Sequence, residues 1–139
     1  MSKLTLVTVV VALLVCPFTA NAFDKVYDLT LEQFEDLQVS ERGVTLNNFT
    51  LGEKTSFMAK GTAKVQVSFS ARNRNDDSRV LTVMIVGMSD NSILWAVDAG
   101  PMMAMVSANK VKECNGSAYV SPGTVKKTTR VWVRIVGDF

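Results

Sequence analysis

The sequence predicts an all-β domain: an antiparallel β-sandwich of about six or seven strands, with one short helix near its start. Three observations carry that expectation. Val65, Val67, Phe69 and Ala71 alternate with Lys64, Gln66, Ser68, Ser70 and Arg72, the period-two pattern of a strand with one buried face. Clusters rich in Asn, Asp, Ser, Pro and Gly recur at short intervals (Asn73–Ser78, Ser89–Ser92, Gly100-Pro101, Ser121–Gly123), where local side-chain hydrogen bonds and left-handed backbone favour turns. Little helical periodicity interrupts them.

The chain has 139 residues. Met1–Ala22 reads as a cleaved signal peptide: Lys3, the apolar stretch Leu4–Val15, the helix breaker Pro17, then Ala20-Asn21-Ala22 with small residues at the −3 and −1 positions. The apolar stretch is shorter than the ~20 residues that cross a bilayer core, so a retained anchor fits less well. Acylation at Cys16 also fits less well, because Val15 stands where a small residue belongs. A single domain, residues 23–139, follows, with a periplasmic or secreted location and no membrane span after cleavage.

Within that domain, Thr30 and Gln33 have the form of a capping box, predicting a short helix over Leu31–Leu37. Ser40-Glu41-Arg42-Gly43 reads as a turn, and Val44, Leu46, Phe49 and Leu51 as a short extended segment that Gly52-Glu53-Lys54 breaks. The Lys64–Arg72 strand comes next. Arg79–Met88 is apolar at nearly every position, which predicts a central strand covered on both faces. Ile93–Val97 forms the next strand and Met102–Val106 a short apolar stretch. A polar region reaches Ser117, Ala118-Tyr119-Val120 is brief, and the last strand runs Thr128–Val136. On it Val131, Val133 and Ile135 face one way and Arg130, Trp132 and Arg134 the other.

The segment from Ala71 to Ile135 resembles the small exported immunoglobulin-like β-sandwich modules typified by FxLYD-type domains. Ala71-Arg72-Asn73 matches a strand ending in an Asn-containing turn, Val80–Val86 with Asp90 a hydrophobic strand leading to an Asp-containing turn, and Ser121-Pro122-Gly123 the turn before the final strand Val131–Ile135. Phe69 stands where a glycine is usual, and there is no Phe-x-Leu-Tyr-Asp motif. The resemblance implies an immunoglobulin-like fold and a binding or accessory role, and brings no active site with it.

Composition removes most chemistries. The chain has no histidine, which excludes Ser–His, Cys–His and His-ligated mechanisms. Its 15 basic and 13 acidic residues give a formal charge of +2, without the basic footprint of a nucleic-acid binder. There is no nucleophile elbow, phosphate loop or dinucleotide fingerprint. Adjacent acids, Glu35-Asp36 and Asp76-Asp77, point apart on a helix or strand and do not converge as an acid–base pair. No enzyme and no cofactor are expected. Once the leader is removed Cys114 has no intramolecular partner; its setting, Lys112-Glu113-Cys114-Asn115-Gly116, reads as a turn and the thiol as structural.

Three weaker signals remain. Met84-x-x-x-Met88 and Met102-x-x-Met105, with Met103 and Met58, offer thioethers suited to Cu(I), although core filling explains methionine equally well. Asn75, Asp76, Asp77 and Asp98 offer hard oxygens for Ca²⁺ without the spacing of a calcium loop. Asn48-Phe49-Thr50 and Asn115-Gly116-Ser117 match the glycosylation acceptor pattern, which has meaning only in an exporting cell that glycosylates.

The candidate site is the outward face of the last strand. Trp132 between Arg130 and Arg134, with Lys126 and Lys127 just upstream, has the composition of an interface hot spot for a protein partner with an acidic patch, and is compatible with self-association as a homodimer. The competing expectation is that the N-terminal segment folds over Trp132 while the arginines snorkel past it. Trp95 is expected in the core. The function expected is that of an exported, non-catalytic binding module of the cell envelope. The alternatives are an inhibitor or immunity-type protein that blocks an exported enzyme such as a cell-wall hydrolase, and a methionine-based copper carrier.

Overall fold

Period-two segments with one apolar face have to bury that face against another sheet, and the fold is the result. The computed structural model describes residues 22–57 and 60–139; residues 1–21 of the expected leader, with Cys16, and Met58 lie outside them. In chain order the described elements are β1 (Phe23–Thr30), helix α1 (Leu31–Glu35), β2 (Val39–Glu41), β3 (Val44–Thr55), β4 (Ala63–Asn73), β5 (Arg79–Ser89) and β6 (Ser92–Asp98). A 3-10 turn (Met102–Ala104), β7 (Met105–Val106), β8 (Val111–Val120), helix α2 (Thr124–Lys127) and β9 (Arg130–Gly137) complete them. One antiparallel sheet has the order β1-β9-β5-β6, with β7 on the start of β5; the other has the order β2-β3-β4-β8.

The protein is an antiparallel β-sandwich. The neighbours β3-β4-β8 and β6-β5-β9 follow the order in which an immunoglobulin-type sandwich arranges its strands. The first strand among the described residues, β1, lies beside β9, in the place that a final strand takes in that fold.

The core is built from the inward positions of both sheets. Val65, Val67 and Phe69 of β4 face Leu81, Val83 and Ile85 of β5 and Val131, Val133 and Ile135 of β9, all essentially inaccessible to water. Phe34 of α1, Phe49 and Phe69 form an aromatic series with centroid separations of 5.5 and 5.1 Å. The α1 turn is held by the expected capping box: Gln33 N donates to Thr30 Oγ1, and Thr30 N donates to Gln33 Oε1. Trp95 is buried as expected, its indole N–H donating to Thr128 Oγ1 at 3.0 Å. Gly87 lies directly across from it, and a Cβ there would come within 2.0 Å of the indole.

Four local expectations are corrected, and one segment without an expected element gains one. Phe23–Thr30 is a strand, because Phe23, Tyr27 and Leu29 alternate with Asp24, Val26 and Asp28 and pack against the core. Gly52 does not end β3, which continues to Thr55 in register with β4 after a bulge between Asn47 and Thr50. β5 is central but covered on one face only, leaving Val80 and Met84 exposed. Val111–Val120 is one continuous strand rather than a polar loop, with Cys114 turned inward and buried. Its inward residues are small because β6 approaches closely: a Cβ on Gly116 would meet Val97 at 2.4 Å. Last, Ser121-Pro122-Gly123 leads into α2 before β9; Gly123 N and Val125 N both donate to the Glu53 carboxylate, which ties this helix to β3.

Candidate functional site

In an antiparallel sheet, directly paired residues share a face, so register defines the outer surface of the β1-β9-β5-β6 sheet. One row across it runs Asp28, Trp132, Val86 and Ala96; the next runs Val26, Arg134, Met84 and Asp98. Nothing among the described residues covers these rows. Trp132 is 39% exposed, Met84 51% and Val26 56%. The N-terminal segment therefore lies beside Trp132, as the neighbouring strand β1, and not over it.

The pairing of β1 with β9 changes the electrostatics of this face. Asp28 is diagonal to Arg130 and accepts hydrogen bonds from its Nε (3.1 Å) and its Nη2. Asp24 accepts from Arg134 Nε at 3.1 Å and Nη2 at 2.8 Å. Both pairs are bidentate, the geometry in which a guanidinium serves a carboxylate best. Hydrogen bonds from Arg134 hold the Asp24 carboxyl below the ordinary aspartate range, and those from Arg130 do the same for Asp28, with a smaller contribution from the Trp132 indole. Both guanidiniums are raised correspondingly.

The sequence-selected residues therefore separate into two groups. Arg130, Trp132 and Arg134 come together on one face as expected, but as paired charges around an apolar centre instead of a basic patch. Lys126 and Lys127 are exposed on α2, the helical turn before β9, and not on the sheet itself. Val26 and Val86 belong to the surface and carried no expectation from sequence, and Met84, weighed there only as a thioether for Cu(I), joins them. The alternation of Asp24, Val26 and Asp28 in the first strand is the signal that would have found Val26 and both carboxylates. Beside Met84, the side chains of Thr82, Asp98, Arg134 and Val136 border a shallow depression of about 220 Å³.

Other sequence candidates are dispersed. Met88 is buried while Met84 is exposed, and Met102, Met103 and Met105 are exposed on the turn and strand that edge β5. Asp77 pairs with Arg79 at 3.1 Å and Asp98 accepts from Gly100 N, each within its own turn, while Asp76 accepts from Asn109 and links two turns. Among the described residues no group of His, Cys, Asp or Glu is arranged to hold a metal. Burial pushes the Cys114 thiol up to about 11, and Sγ lies 3.8 Å from the carbonyl of Lys112. No helix among the described residues is long and apolar enough to cross a membrane.

No family model matches the chain, and no curated protein matches it. Among solved structures, it is similar to a conserved hypothetical protein from Bacillus anthracis at 11% identity, covering 81% of this chain and 91% of that one, with a TM-score of 0.45. It is also similar to an uncharacterised β-sandwich protein from Clostridium difficile 630 at 7% identity, covering 69% of this chain and 80% of that one, TM-score 0.42. A structure of infectious bursal disease virus, Gx strain, is similar at 12% identity over 83% of this chain and 28% of that one, TM-score 0.42.

Proposed function

We propose that the chain is an exported, non-catalytic binding module that acts by protein–protein contact in the cell envelope, through the outer face of the β1-β9-β5-β6 sheet. Export is supported by the leader pattern of Met1–Ala22. The contact is supported by one observation above the others: Trp132 stands exposed on a sheet face that no described residue covers, flanked by two arginine–aspartate pairs. Large exposed apolar side chains rimmed by polar groups mark interaction surfaces, and tryptophan and arginine are the side chains enriched at their hot spots. An acidic partner was the expectation for free arginines. With both guanidiniums already engaged, the contact is carried by apolar area, so the partner presents an apolar patch with polar groups at its rim. Exposed Met84 suits such a surface because its thioether side chain adapts to the shape it meets.

The test compares wild type with Trp132→Glu and Met84→Glu in cross-linking and pull-down from the envelope of the producing cell. A protein retained by wild type and lost with both variants, at an unchanged melting temperature, supports the reading. Truncating a hot-spot tryptophan costs about 2 kcal/mol or more, roughly a 30-fold loss of affinity. Equal retention by all three forms removes this face as the binding surface.

A further inference from the structure

The opposite sheet carries a second surface of different chemistry. Register sets the outer face of β3, β4 and β8 as a grid: Thr50, Ser68 and Asn115 form one row, Gly52, Gln66 and Ser117 the next, and Lys54, Lys64 and Tyr119 the third. The first two rows and Lys64 line an open groove of about 460 Å³, within the size range of small-ligand sites. Apart from Lys64, and from Leu51 and Val67 on the inward register, the side chains lining it are neutral hydroxyls and amides, which donate and accept hydrogen bonds at the same time.

Gly52 keeps the groove open. A glycine within a strand weakens it, and such a residue often marks a close approach of ligand or backbone. Here no part of the fold requires it: its φ is ordinary for an L-residue, and a Cβ would meet nothing within 4 Å.

One end of the groove is cationic. Lys54 and Lys64 are paired directly across β3 and β4, an arrangement of like charges that is unfavourable in a sheet. Neither has a carboxylate partner among the described residues. Lys64 Nζ lies 5.6 Å from the ring centroid of Tyr119, which is 69% exposed. Beyond the other end, outside the lining, the paired Ser70 and Glu113 share a hydrogen bond that Glu113 accepts.

We propose that this groove binds an anionic oligosaccharide, with its hydroxyls over Thr50, Gln66, Ser68, Asn115 and Ser117 and its anionic substituent at Lys54 and Lys64. Neutral groups that both donate and accept match the hydroxyls of a sugar, and two ammonium groups without a carboxylate partner among the described residues match one carboxylate or phosphate. The outward side chains of the groove are polar, which favours a ligand rich in hydroxyls over an apolar peptide side chain. The site is independent of the Trp132 face.

Three sugars and one bare anion are titrated into the folded protein by amide NMR and calorimetry: tetragalacturonate, pentamannose monophosphate, neutral chitotetraose and inorganic phosphate. Either anionic sugar shifting the amides of Gln66, Ser68 and Ser117, and binding at least tenfold more tightly than the neutral sugar and phosphate, supports the proposal and identifies the anion. Lys64→Met then weakens binding at least fivefold. Gly52→Val abolishes it while leaving the melting temperature equal to or above that of wild type, which separates a filled groove from a damaged fold. Equal binding of neutral and anionic sugars, shifts confined to other residues, no binding at millimolar ligand, or full affinity in Gly52→Val overturns it.

Discussion

Asn73 shows how a single polar side chain fixes the corner of the sandwich. It is 1% exposed, and its Nδ2 donates to the carbonyls of Asp77 (2.8 Å) and Val106 (3.1 Å), while its Oδ1 accepts from Asn75 N and Nδ2, both at 2.9 Å. The amide thereby joins the β4–β5 turn to β7. Asn73→Leu preserves volume but leaves these carbonyls and amide donors without partners in a dry site, at about 1–3 kcal/mol for each group that water cannot reach. The expected outcome is a stability lower by about 3 kcal/mol, seen as a lower midpoint at an unchanged slope in a urea titration followed by tryptophan fluorescence. That a turn begins at Asn73 is plain from its local run of Asn and Asp. That its side chain reaches Val106 is not, because the contact joins segments far apart in sequence. Cys114 shows the same limit: polar neighbours suggest a turn, and only the pairing of Cys114 with Phe69 turns the thiol inward.

At the scale of the element, β1 and β9 depend on each other through charge. Asp24 and Asp28 have folded-state pKa values below their unfolded ones, so their ionised forms contribute stability above the unfolded value that is lost as pH falls through the folded value. Glu53, lowered chiefly by hydrogen bonds from Gly123 N and Val125 N, acts in the same direction and sense. Wild type is therefore expected to lose melting temperature between about pH 5 and pH 2. Asp24→Asn/Asp28→Asn removes the share due to the two arginines and leaves that of Glu53, so its melting curve falls less steeply over the same range. Parallel curves for the two proteins count against a role for the pairs. The β4 and β9 strands are legible in the sequence because their inward residues are large and β-branched or aromatic. β8 is not, since Cys114, Gly116 and Ala118 are small and carry little periodic signal. β1 hides its alternation behind Lys25, which sits at an inward register position at the sheet edge with its Nζ 5.1 Å from the Tyr27 ring centroid.

For the whole molecule, the two outer faces differ because each sheet has only one face to bury. The sandwich core is served by the inward residues of both sheets, leaving an apolar surface around Trp132 on one side and a polar groove around Gly52 on the other. Individual strand patterns reveal which residues face outward, but the gathering of Val26, Met84 and Trp132, or of Thr50, Gln66 and Ser117, requires the pairing order. Stacked sheets lie about 10 Å apart, and residues that far apart with no shared partners change stability or binding additively to within about 0.5 kcal/mol. The two surfaces are therefore expected to work independently, allowing one molecule to hold a protein on one face and an anionic glycan on the other. Trp132→Glu should alter glycan affinity by less than about threefold, the factor equivalent to 0.5–0.7 kcal/mol, and Gly52→Val should leave protein capture intact. A ternary complex, seen as simultaneous retention of the protein partner on immobilised glycan, follows from that independence. An effect larger than that of either variant on the opposite face would mean instead that the shared core transmits strain from one sheet to the other, and the two ligands would then have to change each other's affinity by the same factor.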